Sequence, residues 1–263
     1  MSNNSKIIIV TPINDGESVQ IEKVLKENNI KTLITKQGWG ASWSSLEPEV
    51  KEKIESYKNK NYRIFGVELQ GQAPEGMINI DHHYYDGDDR SNEKSSLEQV
   101  AELIGHELTL YEQFVAENDK GFIPAMLTLA KNKNLSEKET QKMIEKVRLQ
   151  DRAAQGITSE QEEIAERAIE EAEVSDLLTV VRMEHSKTAT VCDRLYGRYK
   201  NLLVVSSDGE VNFFGSREVI KKLSDLVEGS WSGGDLSHDN GFWGGYPSQD
   251  LDIEKEVKNL LNI

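Results

Sequence analysis

Up to Ile80 the chain repeats one alternation, and that alternation restricts its fold more than any other feature. A short apolar run is followed by a polar turn and then by helical spacing. Lys6-Ile-Ile-Ile-Val10 opens the series, and Lys31 to Thr35, Tyr62 to Leu69 and Met77 to Ile80 continue it. Between them, Ser18 to Asn28 brings Ile21, Val24 and Leu25 to one helical face, and Glu47 to Lys58 predicts a second helix. The segment Gly38-Trp-Gly-Ala-Ser-Trp-Ser45 reads as a loop. Strands alternating with helices predict an α/β fold with an N-terminal, mostly parallel sheet and covering helices. Ligand-binding loops are then expected at the carboxyl ends of the strands.

From Ser95 the spacing becomes helical. Leu97, Val100, Ala101, Ile104, Leu108 and Tyr111 recur every three to four residues, and Ser95 with Glu98 resembles a capping box. Ser136 with Glu139 repeats that signature. Thr158 to Ala172 is acidic around Ile164, Ala165, Ala168 and Ile169, which predicts an exposed connecting helix. Strands return at Leu177 to Met183, Leu202 to Ser206 and Val211 to Phe214, the last two joined by Ser207-Asp-Gly-Glu210 as a hairpin. Ser216 to Val227 predicts a helix, and Gly229 to Tyr246 a glycine-rich loop. The division is expected near Glu173: residues 1–173 form the α/β domain with a helical connector, and 174–263 a smaller α+β domain.

Charge narrows the functional classes. The 263 residues hold 31 Lys plus Arg against 46 Asp plus Glu, a formal net charge of -15. Extended nucleic-acid binding usually needs a basic stripe, so a long nucleic acid is not the expected partner. A small anionic ligand in a local pocket is compatible with this charge, and a homo-oligomer is left open. No apolar run approaches the roughly 20 residues that cross a bilayer. Met1-Ser-Asn-Asn-Ser5 has neither a basic nor a long apolar region of a signal peptide, so a cytoplasmic location is expected and a membrane is not. The one cysteine, Cys192, rules out an intrachain disulfide framework and reads as a small buried apolar residue.

The segment richest in chemistry is Ile78-Asn-Ile-Asp-His-His-Tyr-Tyr-Asp-Gly-Asp-Asp89. A short strand ending in Asp81, His82 and His83 places a carboxylate and two imidazoles at a sheet edge, a donor set suited to manganese, iron or zinc. Asp86, Asp88 and Asp89 read first as a hydrated acidic turn, with extra ligands as the alternative. In Gly229 to Gly245, glycines could bring backbone amides to an anion, while Trp231, Phe242 and Trp243 serve either as packing or as a stacking platform. His185-Ser-Lys-Thr-Ala-Thr190 begins a short helix whose amides and Lys187 could receive an anion, with Arg194 and Arg198 just beyond; ordinary surface cations are the alternative. Arg148, Asp151 and Arg152 read as a structural charge cluster.

The Asp-His-His triplet and its context resemble the DHH phosphoesterase superfamily, which includes RecJ-like exonucleases, oligoribonuclease-phosphatases, cyclic-dinucleotide phosphodiesterases and manganese pyrophosphatases. The resemblance spans nearly the whole chain. It implies a parallel α/β domain, a helical connector and a smaller C-terminal domain closing over the substrate. Asp15-Gly16 is similar to the end of the family's first acidic motif, with Ile13 where an earlier Asp belongs. Glu68 in Gly66-Val-Glu-Leu-Gln-Gly71 stands in place of the second motif's Asp. Asp81, His82 and His83 match the third, and Asp119 in Glu117-Asn-Asp-Lys-Gly121 the fourth. In the C-terminal domain Gly233, Gly234 and His238 resemble the family's substrate-holding turn.

What the resemblance implies is metal-dependent hydrolysis of a small phosphorylated or nucleotide-like substrate in an interdomain cleft. Asp15, Glu68, Asp81, His83 and Asp119 would hold a divalent metal, Mn2+ first, with Mg2+, Co2+ or Zn2+ as alternatives. His82 would contact the phosphoryl group, and Asp81 with His82 would be catalytic. Lys187, Gly233, Gly234 and His238 would bind the rest of the substrate. Such metals hold phosphoryl oxygens, spread developing charge and generate hydroxide near neutral pH. With Ile13 unable to coordinate, one metal instead of two, or a non-catalytic ligand-binding protein on the same fold, is also expected to be workable. Metal-assisted chemistry on a non-phosphate anion is a further alternative.

Overall fold

The computed structural model describes residues 6–85, 88–236 and 240–263. The chain divides into two compact units, Met1–Gly156 and Ile157–Ile263.

In the first unit the elements run β1 (Ile7–Thr11), α1 (Gly16–Glu27), β2 (Lys31–Ile34), α2 (Pro48–Lys58), β3 (Arg63–Val67), β4 (Met77–Ile80), β5 (Tyr84–Tyr85), β6 (Asp88–Asp89), α3 (Ser96–Ile104), α4 (Leu110–Asn132) and α5 (Glu137–Ala154). β1 to β4 form one sheet in the order β2-β1-β3-β4, every pairing parallel. The register sets Thr11 beside Ile34 and Val67 beside Ile80, so all the strands end along one edge. Strand alternation splits the side chains between two layers. Ile8, Val10, Leu33 and Ile64 pack with Trp43, Leu46, Val50 and Ile54 on the α2 side. Ile7, Ile9 and Phe65 point the other way and are equally buried. On that side α1 packs against α3, α4 and α5 through residues that include Ile21, Val24, Leu97 and Phe114. Gly66 lies under Trp43: a Cβ there would sit 2.2 Å from the indole Cζ2, so no larger residue fits.

The helical run expected through Tyr111 is two helices. Gly105 ends α3 in the left-handed region at φ 73°, and Thr109 caps α4 with its own box, its side chain accepting from the Glu112 N–H. The single periodic pattern survives because both helices bury one face on α1. The Ser95–Glu98 and Ser136–Glu139 capping boxes form as expected.

The second unit runs α6 (Ser159–Glu170), β7 (Glu173–Val174), β8 (Thr179–Met183), α7 (Ala189–Leu195), β9 (Leu202–Ser206), β10 (Val211–Gly215), α8 (Arg217–Leu226), β11 (Trp231–Asp235), β12 (Asn240–Gly245) and α9 (Ile253–Leu260). Its mixed sheet has the order β11-β12-β10-β9-β8-β7, with only β8 and β9 parallel. One face carries Val181, Met183, Leu202 and Val204 against α6 and α7; the other carries Val180, Leu203, Phe213 and Trp243 against α8 and α9.

Two expectations change here. The acidic helix α6 belongs to the second unit, because Ala165 and Ala168 are buried against Val181 and Val191, and the division falls at Gly156, not Glu173. Its charged residues form the solvated face. The glycine-rich segment expected as a loop is a hairpin of β11 and β12. Gly233 faces Phe242 across it, and a Cβ would stand 2.9 Å from that ring, so packing accounts for this glycine. Trp243 is fully buried in the core, which removes it as a stacking platform. Cys192 is buried as expected.

Candidate metal centre

The site is assembled where β3 and β4 end. Glu68 follows β3 with φ 52°, a left-handed conformation that costs an ordinary residue roughly 1 kcal/mol or more. Two contacts hold it there. Its N–H donates to the Ile80 carbonyl at 3.0 Å, and the Arg90 guanidinium donates to the carbonyls of Leu69 at 2.8 Å and Gly71 at 2.5 Å. The same guanidinium reaches Asp81 Oδ2 at 3.2 Å, so one cation ties the two strand ends together.

Asp81 is 5% exposed and acts on its neighbours. Its Oδ1 accepts from the backbone N–H groups of His82 at 2.9 Å and His83 at 3.1 Å, and lies 3.0 Å from His83 Nδ1. Gln99 on α3 donates to its carbonyl at 2.8 Å. The His83 imidazole and the backbone of both histidines are thereby held. Asp119 comes from α4, one turn before a kink where Phe122 adopts φ 57°. The Arg148 guanidinium lies over the Phe122 ring at 4.6 Å and donates to Asn118 at 2.9 Å, bracing that kink from α5.

One ligand-capable atom each from Glu68, His82, His83 and Asp119 lies within 4.8 Å of all the others. His82 Nε2 is 2.5 Å from Asp119 Oδ2 and 4.0 Å from Glu68 Oε1. Despite that proximity, Glu68 Oε1, His82 Nε2 and Asp119 Oδ2 are buried atoms without an aligned hydrogen-bond partner. His82 and Asp119 form a close charge pair, and none of the three atoms has a hydrogen bond of ordinary geometry. Buried polar atoms left unpaired are costly, and here they converge. Two carboxylates and two imidazoles suit a divalent cation of the manganese, iron or zinc type, so the residues fit a metal.

The electrostatics agree. Burial, reinforced by the Asp15 and Asp119 charges, pushes the Glu68 carboxyl up to about 8. The Asp81 hydrogen bond, against burial, raises His83 to about 9. Burial also raises Asp15, and lifts Glu17 well above the usual carboxylate range. Without a cation this cluster holds protons.

Of the residues expected from sequence, Glu68, His82, His83 and Asp119 come together. Asp15 does not join them: it caps α1, its Oδ1 accepting from the Ser18 N–H at 2.7 Å. Asp81 is not one of the four; it sits beside them with its Oδ1 3.0 Å from His83 Nδ1. Ile13 is 39% exposed. Asp89 ends the short strand β6 instead of lying in the expected turn; it is exposed and accepts from the Ser91 N–H at 2.9 Å, apart from the group. Asp86 and His238 lie outside the described residues. In the second unit, Lys187 is exposed near the start of α7, and Gly233 and Gly234 sit on the edge strand β11. Arg148 and Asp151 pair at 2.8 Å and Asp151 receives the Gly16 N–H at 2.9 Å, the structural role expected of that cluster. Sequence reasoning missed Glu17, which lies two residues past Asp15 in the first turn of α1. It also missed Arg90, whose role no local pattern signals.

Family models give no match, and neither do curated proteins. Among solved structures, the chain is similar to the pGpG-specific phosphodiesterase PggH from Vibrio cholerae, at 13% identity and TM-score 0.49 over 98% of both chains. It is also similar to RecJ in complex with Mg2+ from Thermus thermophilus, at 11% identity and TM-score 0.44 over 97% of this chain and 49% of that one. An uncharacterized protein from Helicobacter pylori matches at 12% identity and TM-score 0.31, over 98% and 99%. At these scores the chemistry rests on the side chains themselves. Among the described residues, no helix is long and apolar enough to cross a membrane.

Proposed function

We propose that this chain is a divergent DHH-type phosphoesterase that hydrolyses a small phosphorylated or nucleotide-like substrate with a divalent metal, manganese first. The observation that carries the reading is the convergence of Glu68, His82, His83 and Asp119 on one point, with buried polar atoms that lack aligned hydrogen bonds. Glu68, His83 and Asp119 hold the ion in this proposal, and His82 faces the phosphoryl group beside it. A bound divalent ion supplies Lewis-acid stabilisation of phosphoryl charge and acidifies water.

The chain's own residues do the rest. Asp81 fixes the His83 imidazole, and Arg90 fixes Asp81 relative to the turn that carries Glu68. The strand ends thus present a preformed site that need not reorganise when the ion arrives. In the second unit, Lys187 is proposed as the exposed cation that meets anionic substrate. The proposed setting is the cytoplasm, with a small anionic molecule as partner and no long nucleic acid, in keeping with the net charge of -15.

A substrate panel of phosphomonoesters, dinucleotides and cyclic dinucleotides tests this. The purified chain is assayed with manganese, magnesium, cobalt or zinc beside a chelated sample. Turnover of at least one phosphoester, abolished by chelation, is expected. Stoichiometric metal without turnover of any phosphoester would make the chain a binding protein instead.

A further inference from the structure

The carboxyl edge of the first sheet changes its chemistry from one side to the other. Glu68 follows β3, and His82 and His83 follow β4. After β1 and β2 come two exposed apolar side chains, Ile13 and Trp39, and the indole is 72% exposed. A single exposed apolar residue is ordinary on a protein surface. Trp39 differs in how it is mounted. Gln37 clamps the base of its tip: the side-chain oxygen accepts from the Ser42 N–H at 3.0 Å, and the amide nitrogen donates to the Ser42 carbonyl at 3.2 Å. Gly40 turns the chain at φ 78° directly after the indole. Just beyond the tip, the Gln70 N–H donates to the Ala41 carbonyl at 2.8 Å, and the Trp43 N–H donates to the Gln70 carbonyl at 3.2 Å. Gln70 lies two residues past Glu68, so the tip carrying Trp39 and the turn carrying Glu68 are bonded into one frame. β2 stands two strand spacings, about 10 Å, from β3. One edge therefore offers a metal-capable cluster on one side and a braced, solvent-facing indole on the other.

Resting on the phosphoester reading above, we propose that Trp39 stacks on the base of a nucleotide whose phosphoryl group is held at the metal centre. This names the substrate class as a nucleotide and not a sugar phosphate. Ile13, after the neighbouring strand, adds apolar surface to the same edge. Every base has a face that can stack, so Trp39 selects for the presence of a base more than for its identity. The clamp at Gln37 limits how much the loop must order when the base arrives, which preserves binding energy.

Binding of AMP, GMP and ribose 5-phosphate to the full chain in manganese, measured by calorimetry, provides the test. The proteins compared are wild type, Trp39→Phe, Trp39→Ala and Trp231→Ala. Wild type is expected to bind both nucleotides at least about 10-fold more tightly than ribose 5-phosphate. Trp39→Ala should lose that advantage for both nucleotides while its affinity for ribose 5-phosphate stays at the wild-type level. Trp39→Phe, which keeps a ring, should retain most of it. Because the indole is exposed, the melting temperature of Trp39→Ala should match wild type. A wild type that binds nucleotides no more tightly than ribose 5-phosphate, or a Trp39→Ala protein that keeps the advantage, overturns this inference. So does a loss that follows Trp231→Ala instead, which would put the base on the second unit. Metal-dependent turnover of any phosphoester would leave the reading beneath it standing in each of those cases, and its absence would remove both.

Discussion

The two units bury opposite things. Among the described residues, every buried charged side chain, Asp15, Glu17, Asp81, Glu112, Arg148, Asp151 and Arg152, lies in the first unit. The second buries only neutral polar groups, Thr179, Thr190, Asn201, Ser206 and Asn212, beneath apolar layers on both sheet faces. Buried charge is expensive unless paired, and the first unit gathers buried or partly buried Glu68, His82, His83 and Asp119 around one point. A fold selected only for stability would fill those positions with apolar residues. The second unit therefore illustrates packing, and the first a cluster of side chains that could hold a divalent cation.

Substitutions should separate the two roles. Phe213→Ala, in the fully buried layer of the second unit, is expected to cost about 3–5 kcal/mol of stability while leaving manganese affinity unchanged. Denaturant unfolding beside calorimetry checks both halves, and a parallel loss of metal affinity would break the contrast. Asp119→Asn is the converse: metal affinity is expected to fall by more than about 100-fold, beyond the usual loss for a residue that only supports a ligand. Its metal-free melting temperature should stay within a few degrees of wild type.

Arg90→Ala sharpens the comparison within the first unit. It frees the turn carrying Glu68 from Asp81, and manganese affinity should fall about 10–100-fold, as for other groups that orient ligands. Wild-type affinity in that variant would show that the Glu68 backbone holds its own position.

The smallest effect is in pH. Glu68 is raised from 4.5 to about 8, so the metal-free fold loses stability as pH climbs from 4.5 through 8. His83 is raised from 6.5 to about 9, so its contribution is full below 6.5 and is lost as pH rises through 9. Both act in the same direction. With chelator, the melting temperature should decline from pH 5 to pH 9, and saturating manganese should abolish the decline at the alkaline end. A chelated protein more stable at pH 9 than at pH 5 would contradict the electrostatics of the site.

The strands and most helices were legible because they are written locally. Met77 to Ile80 forms β4 with the expected limits, and the Ser95 and Ser136 boxes cap the expected helices. Glu68, His82 and His83 were legible through their positions after strands and through resemblance, and Asp119, inside α4, through resemblance alone. What escaped depends on contacts distant in sequence. Gly233 looked like an anion cradle because nothing local shows that Phe242 will cover it. The pairing of Asp81 with Arg90 escaped because it forms only when the chain turns back. The Gly105 break was hidden because α3 and α4 continue one apolar rhythm on either side of it.

The most direct test is a crystal of the full chain soaked in manganese and measured by anomalous diffraction. A peak is expected within coordinating distance of Glu68, His83 and Asp119, beside His82. A saturated crystal with no anomalous density among those side chains, or with manganese only on other carboxylates, would contradict a metal centre at these strand ends.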